Sequence, residues 1–169
     1  IEKFFLGSTY AMEVFEFVDK KITYAEYSMQ GLPLYALDET SAITGWSSAN
    51  IFYAGSGTKN ITTGSGTNVV YTESANVTAT GGSGKDTFYS GSGTNRLMGV
   101  AGSDTYIFAK GHGQDVIFDF ANGSVSDDTL KFLDVNSTEV KFGRSDDNLI
   151  LFGYNGADQI TIEKFFLGS

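Results

Sequence analysis

"GGSGKDTFYSGSGTNRLMGVAGSDTYI", residues 81–107, divides into three consecutive nonamers, two of them with glycine at the second and fourth positions. The eighth positions are large and apolar: Phe88, Leu97 and Tyr106. The sixth positions read Asp86, Asn95 and Asp104, so two carboxylates recur 18 residues apart with an amide between them. Read back in steps of nine, the phase holds over seven contiguous nonamers from Gly45 to Ile107, and a degenerate eighth shows in "ALDETSAIT". Every eighth position (Phe52, Ile61, Val70, Ala79, Phe88, Leu97, Tyr106) suits a core. A 3.6-residue helix cannot keep every ninth residue on one face while carrying Gly-x-Gly in each turn. A coil of two short strands and two turns can, with 18 residues per coil and one inward apolar residue per strand. The expected fold is all-β: a right-handed parallel β-roll of nonapeptide repeats, two parallel sheets with β-rich segments at both ends.

Composition agrees with such a module. A chain of 169 residues suits one domain or a compact module with flanks, and 21 glycines against one proline point to tight turns. With 11 basic and 20 acidic residues the chain is a poor partner for nucleic acid. It has no cysteine, which excludes disulfides and thiolate metal sites. No apolar run is long enough for a transmembrane segment, and the start shows no signal-peptide pattern. "IEKFFLGS" at residues 1–8 returns letter for letter at 162–169, which predicts a parent protein repeating every 161 residues. The neighbouring units would then be natural partners, and residues 162–169 are expected to continue a strand of the C-terminal flank. The expected division is 1–35 as the end of a preceding unit, 36–118 as the roll and 119–169 as the C-terminal flank.

The nonamers resemble the RTX, or haemolysin-type calcium-binding, repeat G-G-x-G-x-D-x-U-x, with U apolar; residues 81–89 match at every fixed position. "YIFAKGHGQDVIFDF" resembles the segment that closes such arrays. The stretch from "DTLKF" to the C-terminus, with "FLGSTYAMEVFEFVDKKITYAEY", resembles the β-rich flanking domain of that family. The resemblance implies a secreted bacterial protein, exported by a type I system, that folds around external Ca²⁺. It also implies ions between same-edge turns, held by sixth-position oxygens and glycine-turn carbonyls.

One edge of such a roll carries Asn50, Asn68, Asp86 and Asp104, the other Lys59, Val77 and Asn95. Calcium takes six to eight oxygens and its affinity follows the charge count. The best expected site is therefore Asp86 with Asp104, served by the turns of Gly82, Gly84, Ala101 and Gly102. The Asn68–Asp86 step is weaker. Asn95 pairs with Asp115 if "GHGQD", with Gly111 and Gly113, restores the pattern two residues out of phase. Lys59 and Val77 rule out their steps. The other reading of Asp86 and Asp104, as turn aspartates capping backbone amides, stays open.

Tyr53, Tyr71 and Tyr89 form an outward ladder, either stabilised by stacking alone or covered by a flanking segment such as Tyr10 to Tyr27. No catalytic residues are assigned and the chain is not expected to be an enzyme. Its one histidine, His112, lies in a glycine turn expected to face solvent, and Asp127–Asp128 read as turn residues. Three classes remain. The first is a calcium-binding structural repeat of an adhesin, surface-layer protein or toxin-like exoprotein. The second is the calcium-binding secretion module of an extracellular protease, lipase or epimerase. The third is an ice- or polysaccharide-binding module, whose signal would be the turn hydroxyls of Ser56, Ser74 and Ser92. The exact octapeptide repeat favours the first, with cell-surface or polysaccharide ligands as candidate partners.

Overall fold

A computed structural model of the chain describes residues 14–16, 18–23, 33–37, 40–120 and 126–167. Because each nonamer alternates inward and outward side chains between glycine turns, the chain winds into a coil with one strand on each of two sheets. The six-stranded sheet holds β3 (Pro33–Tyr35), β5 (Ile51–Tyr53), β7 (Val69–Tyr71), β9 (Thr87–Tyr89), β11 (Thr105–Phe108) and β13 (Thr129–Phe132), all parallel. The facing sheet begins with β4 (Thr40–Thr44), β6 (Thr58–Thr62), β8 (Asn76–Gly82), β10 (Arg96–Val100) and β12 (Gln114–Ile117), again parallel. β16 (Gln159–Ile162) adds in parallel to β12, and β15 (Asn148–Phe152) and β14 (Lys141–Ser145) close that sheet as an antiparallel meander. β1 (Val14–Glu16) and β2 (Lys21–Thr23) form a separate antiparallel hairpin. No helix occurs among the described residues, and none is long and apolar enough to cross a membrane. The parallel β-roll expected from the repeats is the fold of this chain.

Register follows the 18-residue coil: Ile51 lies beside Val69, Thr87 and Thr105 in turn. It then stretches. Arg96 pairs with Val116, a step of 20, as the displaced "GHGQD" requires, and Thr105 pairs with Thr129, a step of 24. All seven eighth positions are at most 2% exposed. So are all seven sixth positions, polar or not. Two inward rows thus fill the thin interior, one apolar and one of hydrogen-bonding groups. The turns stack backbone on backbone. A Cβ on Gly84 would lie 2.1 Å from the Gly66 carbonyl oxygen, and one on Gly102, at φ +132°, 1.9 Å from that of Gly84.

Two expectations are corrected. His112 does not face solvent: it is 1% exposed, with Phe108 packed edge-on and Tyr154 stacked on its ring. The aromatic enclosure comes partly from the C-terminal flank, which sequence-local reasoning could not see. The C-terminal octapeptide does not continue its strand either. β16 stops at Ile162 and residues 163–167 turn away.

Candidate metal centre

The sixth positions on the six-stranded side form a continuous ladder. Each side-chain oxygen accepts the backbone N–H of the equivalent residue one coil earlier. Asn68 Oδ1 takes the amide of Asn50 at 3.0 Å and Asp86 Oδ1 that of Asn68 at 2.9 Å. Asp104 Oδ1 takes that of Asp86 at 2.7 Å and Asp128 Oδ1 that of Asp104 at 2.9 Å. The amide-capping role left open by the sequence is therefore present; it engages both oxygens of Asp86 but only one of Asp104.

What the second group does changes along the ladder. At the N-terminal end, Asn50 Nδ2 donates towards four oxygens: Trp46 O, Ser48 O, Thr63 O and Asn68 Oδ1, at 2.6 to 3.1 Å. Asn68 Nδ2 donates to Gly66 O and Asp86 Oδ1. A side-chain N–H group sits there among oxygens that would otherwise face one another. At Asp86 the second oxygen, Oδ2, accepts the Gly82 amide at 3.1 Å. At Asp104 it has no protein partner at all, although the residue is 1% exposed.

That oxygen faces more oxygen. A Cβ on Gly99 would meet Asp104 Oδ2 at 2.2 Å and the Tyr106 hydroxyl at 2.6 Å, so only glycine fits beside the cluster. Tyr106 donates its hydroxyl hydrogen to Asp119 Oδ2 at 2.6 Å, while Asp119 Oδ1 accepts the Val100 amide. Asp104, Asp119 and Asp128 each present a carboxylate oxygen within 4.8 Å of the other two. Ligands at opposite sides of one calcium ion stand about 4.6–5.2 Å apart, so the three can share an ion. Burial, aggravated by the charges of Asp119, Asp86 and Asp128, pushes the Asp104 carboxyl up to about 7. Burial likewise raises Asp86 and Asp119. A buried carboxylate without a counter-charge is unfavourable, and a hard divalent cation is the partner this all-oxygen donor set suits.

Residues 62–97 match the family model of the RTX calcium-binding nonapeptide repeat, in four copies. Over those residues the roll carries RTX repeats. No curated protein matches the chain. RTX repeats bind calcium as a family, and the residues here that would hold it are Asp86, Asp104, Asp119 and Asp128 with the carbonyls of their turns. Asp128 escaped the sequence reading because the last coil of the roll takes 24 residues, which puts it at a sixth position out of step with the nonamers, and Asp119 because it holds no sixth position at all. The signal was the register of "DTLKF" against "DTYIF": an aspartate precedes the strand in both.

The opposite edge of the roll is closed internally. Lys59 is buried, and its ammonium donates to the Ser56 carbonyl. Val77 donates its amide to Asn95 Oδ1 at 3.1 Å. Asp115 is brought beside Asn95 as the sequence suggested, but both its oxygens are engaged. Oδ1 accepts from the Asn95 amide and Nδ2, each at 2.9 Å, and Oδ2 meets Ser90 Oγ at 3.1 Å and His112 Nδ1 at 2.6 Å. The amides of Gly111 and Gly113, expected to belong to an ion-binding turn, donate to Asp158 from the C-terminal flank. Although burial opposes it, hydrogen bonds from Asn155 and those two glycines keep the Asp158 carboxyl below its usual range.

The outward tyrosines stack on one another and gain a fourth rung. Tyr35, Tyr53, Tyr71 and Tyr89 follow at centroid distances of 5.0, 4.9 and 4.6 Å, with ring planes within 14°. Of the proposed cover, Tyr10 to Tyr27, only residues 14–16 and 18–23 are described, and the rest lies outside the described residues.

Proposed function

We propose that the chain is a calcium-stabilised structural repeat module of a large secreted bacterial protein, an adhesin, surface-layer component or toxin-like exoprotein, and not a catalyst. The observation that carries the calcium part is the unpartnered, buried Oδ2 of Asp104, a residue whose carboxylate clusters with those of Asp119 and Asp128. In this reading the Asp86–Asp104–Asp128 end takes up calcium once the chain reaches calcium-rich medium, which favours the folded roll outside the cell. Export and assembly into a larger array rest on the usual context of RTX repeats and on the recurrence of "IEKFFLGS" at residues 162–169.

Calorimetric calcium titration, with circular dichroism, of the wild type and an Asp86→Asn, Asp104→Asn double variant tests the reading. The wild type should bind with a dissociation constant on the order of 10⁻⁴ to 10⁻³ M, the range of extracellular modules, and the double variant should not respond. Equal stabilisation of both proteins would place the ion elsewhere; no response in the wild type would leave a purely hydrogen-bonded scaffold.

A further inference from the structure

In the C-terminal copy of the repeated octapeptide, Ile162, Glu163, Lys164 and Phe166 each meet a matching group in a slot on the roll and its flank. Ile162 ends β16 between Ile117 and Leu149 and packs against the core. Glu163 donates its amide to the Ile117 carbonyl, and its carboxylate receives both Arg96 terminal nitrogens, at 2.9 and 2.7 Å. Lys164 donates its amide to Asn148 Oδ1 and sets its ammonium 4.9 Å from the Phe118 ring centre. Its φ is +57°, a left-handed conformation that lysine adopts where surrounding contacts impose it. Phe166 donates its amide to the Asp147 carbonyl, and its ring lies under the Arg144 guanidinium at 4.5 Å. An isoleucine, a carboxylate, an ammonium and an aromatic ring are thus each met by a complementary group in a fixed order.

Ile1-Glu2-Lys3-Phe4-Phe5-Leu6 presents the same side chains in the same order. A slot complementary to one copy is complementary to the other, and a single slot holds one at a time. We infer that the Arg96/Asn148/Arg144 slot is a docking site for residues 1–6 of a second copy of this chain, which displaces the resident Ile162–Leu167 segment. The exchange is head to tail. The donor's own slot stays available to a third molecule, so the contact is heterologous and builds open chains rather than closed dimers. The rim position of the Arg96–Glu163 pair makes displacement feasible, since its side chains are 37% and 30% exposed. The resident segment also leaves Phe165 and Leu167 more than half exposed, so it is not locked in by burial of those two side chains.

Charge reversal separates resident from visitor. In full-length Glu163→Arg, the resident segment repels Arg96 while Glu2 of another molecule still complements it. Light scattering after size exclusion should show concentration-dependent oligomers, and the Glu163→Arg, Glu2→Arg double variant should return to monomer. A monomeric single variant, or equal self-association of both variants, overturns the inference. A second measurement does not depend on self-association: fluorescein-labelled peptide IEKFFLGS, titrated with full-length Glu163→Arg and followed by anisotropy. It should bind roughly fivefold more tightly than the peptide IRKFFLGS, the scale of one exposed ion pair. Equal binding of the two peptides overturns the docking role of Arg96.

Discussion

Asp104 is the residue at which the balance of the ladder turns. Its carboxyl, held up to about 7 by burial against an ordinary value of 3.8, binds a proton more tightly in the folded protein than in the unfolded chain. Its contribution to metal-free stability is therefore fully present below the unfolded value and is lost as pH rises through about 7. Calcium reverses this dependence, because the ion binds the ionised form and competes with the proton. Thermal midpoints should thus fall from about pH 5 to about pH 8 in chelator, and the calcium-induced rise should be larger at the higher pH. An Asp104→Asn variant should abolish most of both effects, and an unchanged pH dependence would remove Asp104 from the account. The eighth-position residues were legible from their spacing alone, whereas Asp119 was not. Nothing local marks it; only the Tyr106 hydroxyl and the Val100 amide bring it to the cluster.

At the scale of the element, each turn-and-strand coil needs something electropositive, or at least a hydrogen donor, among its inward oxygens. Asn50 Nδ2, Lys59 Nζ and Asn95 Nδ2 provide it in the coils without paired carboxylates. Replacing Asn50 by Asp would set a carboxylate oxygen against the Trp46, Ser48 and Thr63 carbonyls. Unfolding by urea should show a loss of roughly 2–4 kcal/mol without calcium, in the range for leaving a buried charge unpaired. Millimolar calcium should restore much of it, since the same change makes an oxygen cage. A variant destabilised equally with and without calcium would deny that the amide stands where an ion could. The three-residue outward strands and the Gly-x-Gly turns were readable from the nonamer. The 24-residue coil was not, because its loop length has no counterpart in the repeat.

Over the whole molecule, the coils divide into an N-terminal part closed by its own side chains and a C-terminal part with unneutralised carboxylates. Coils of a solenoid contact only their neighbours, so local stability can differ along the axis. Amide hydrogen exchange in chelator should find β4 to β8 better protected than β9 to β13, and calcium should raise protection mainly in the latter. At a hundredfold excess over its dissociation constant the ion adds about 2.7 kcal/mol. Uniform protection gains along the roll would contradict this division.

Period and chemistry of the nonamer were sufficient to specify the parallel roll, its inward rows, the tyrosine ladder and the edge that keeps carboxylates, because all of these repeat with the coil and need no partner from outside it. The residues that complete the structure come from irregular or distant segments. Asp119 and Asp128 gather at Asp104 across loops of unequal length. Tyr154 buries His112, Asp158 caps the glycine turn meant for an ion, and Arg96 receives Glu163 across 67 residues. Such contacts depend on where the C-terminal meander folds back onto the roll, and no local periodicity encodes that placement.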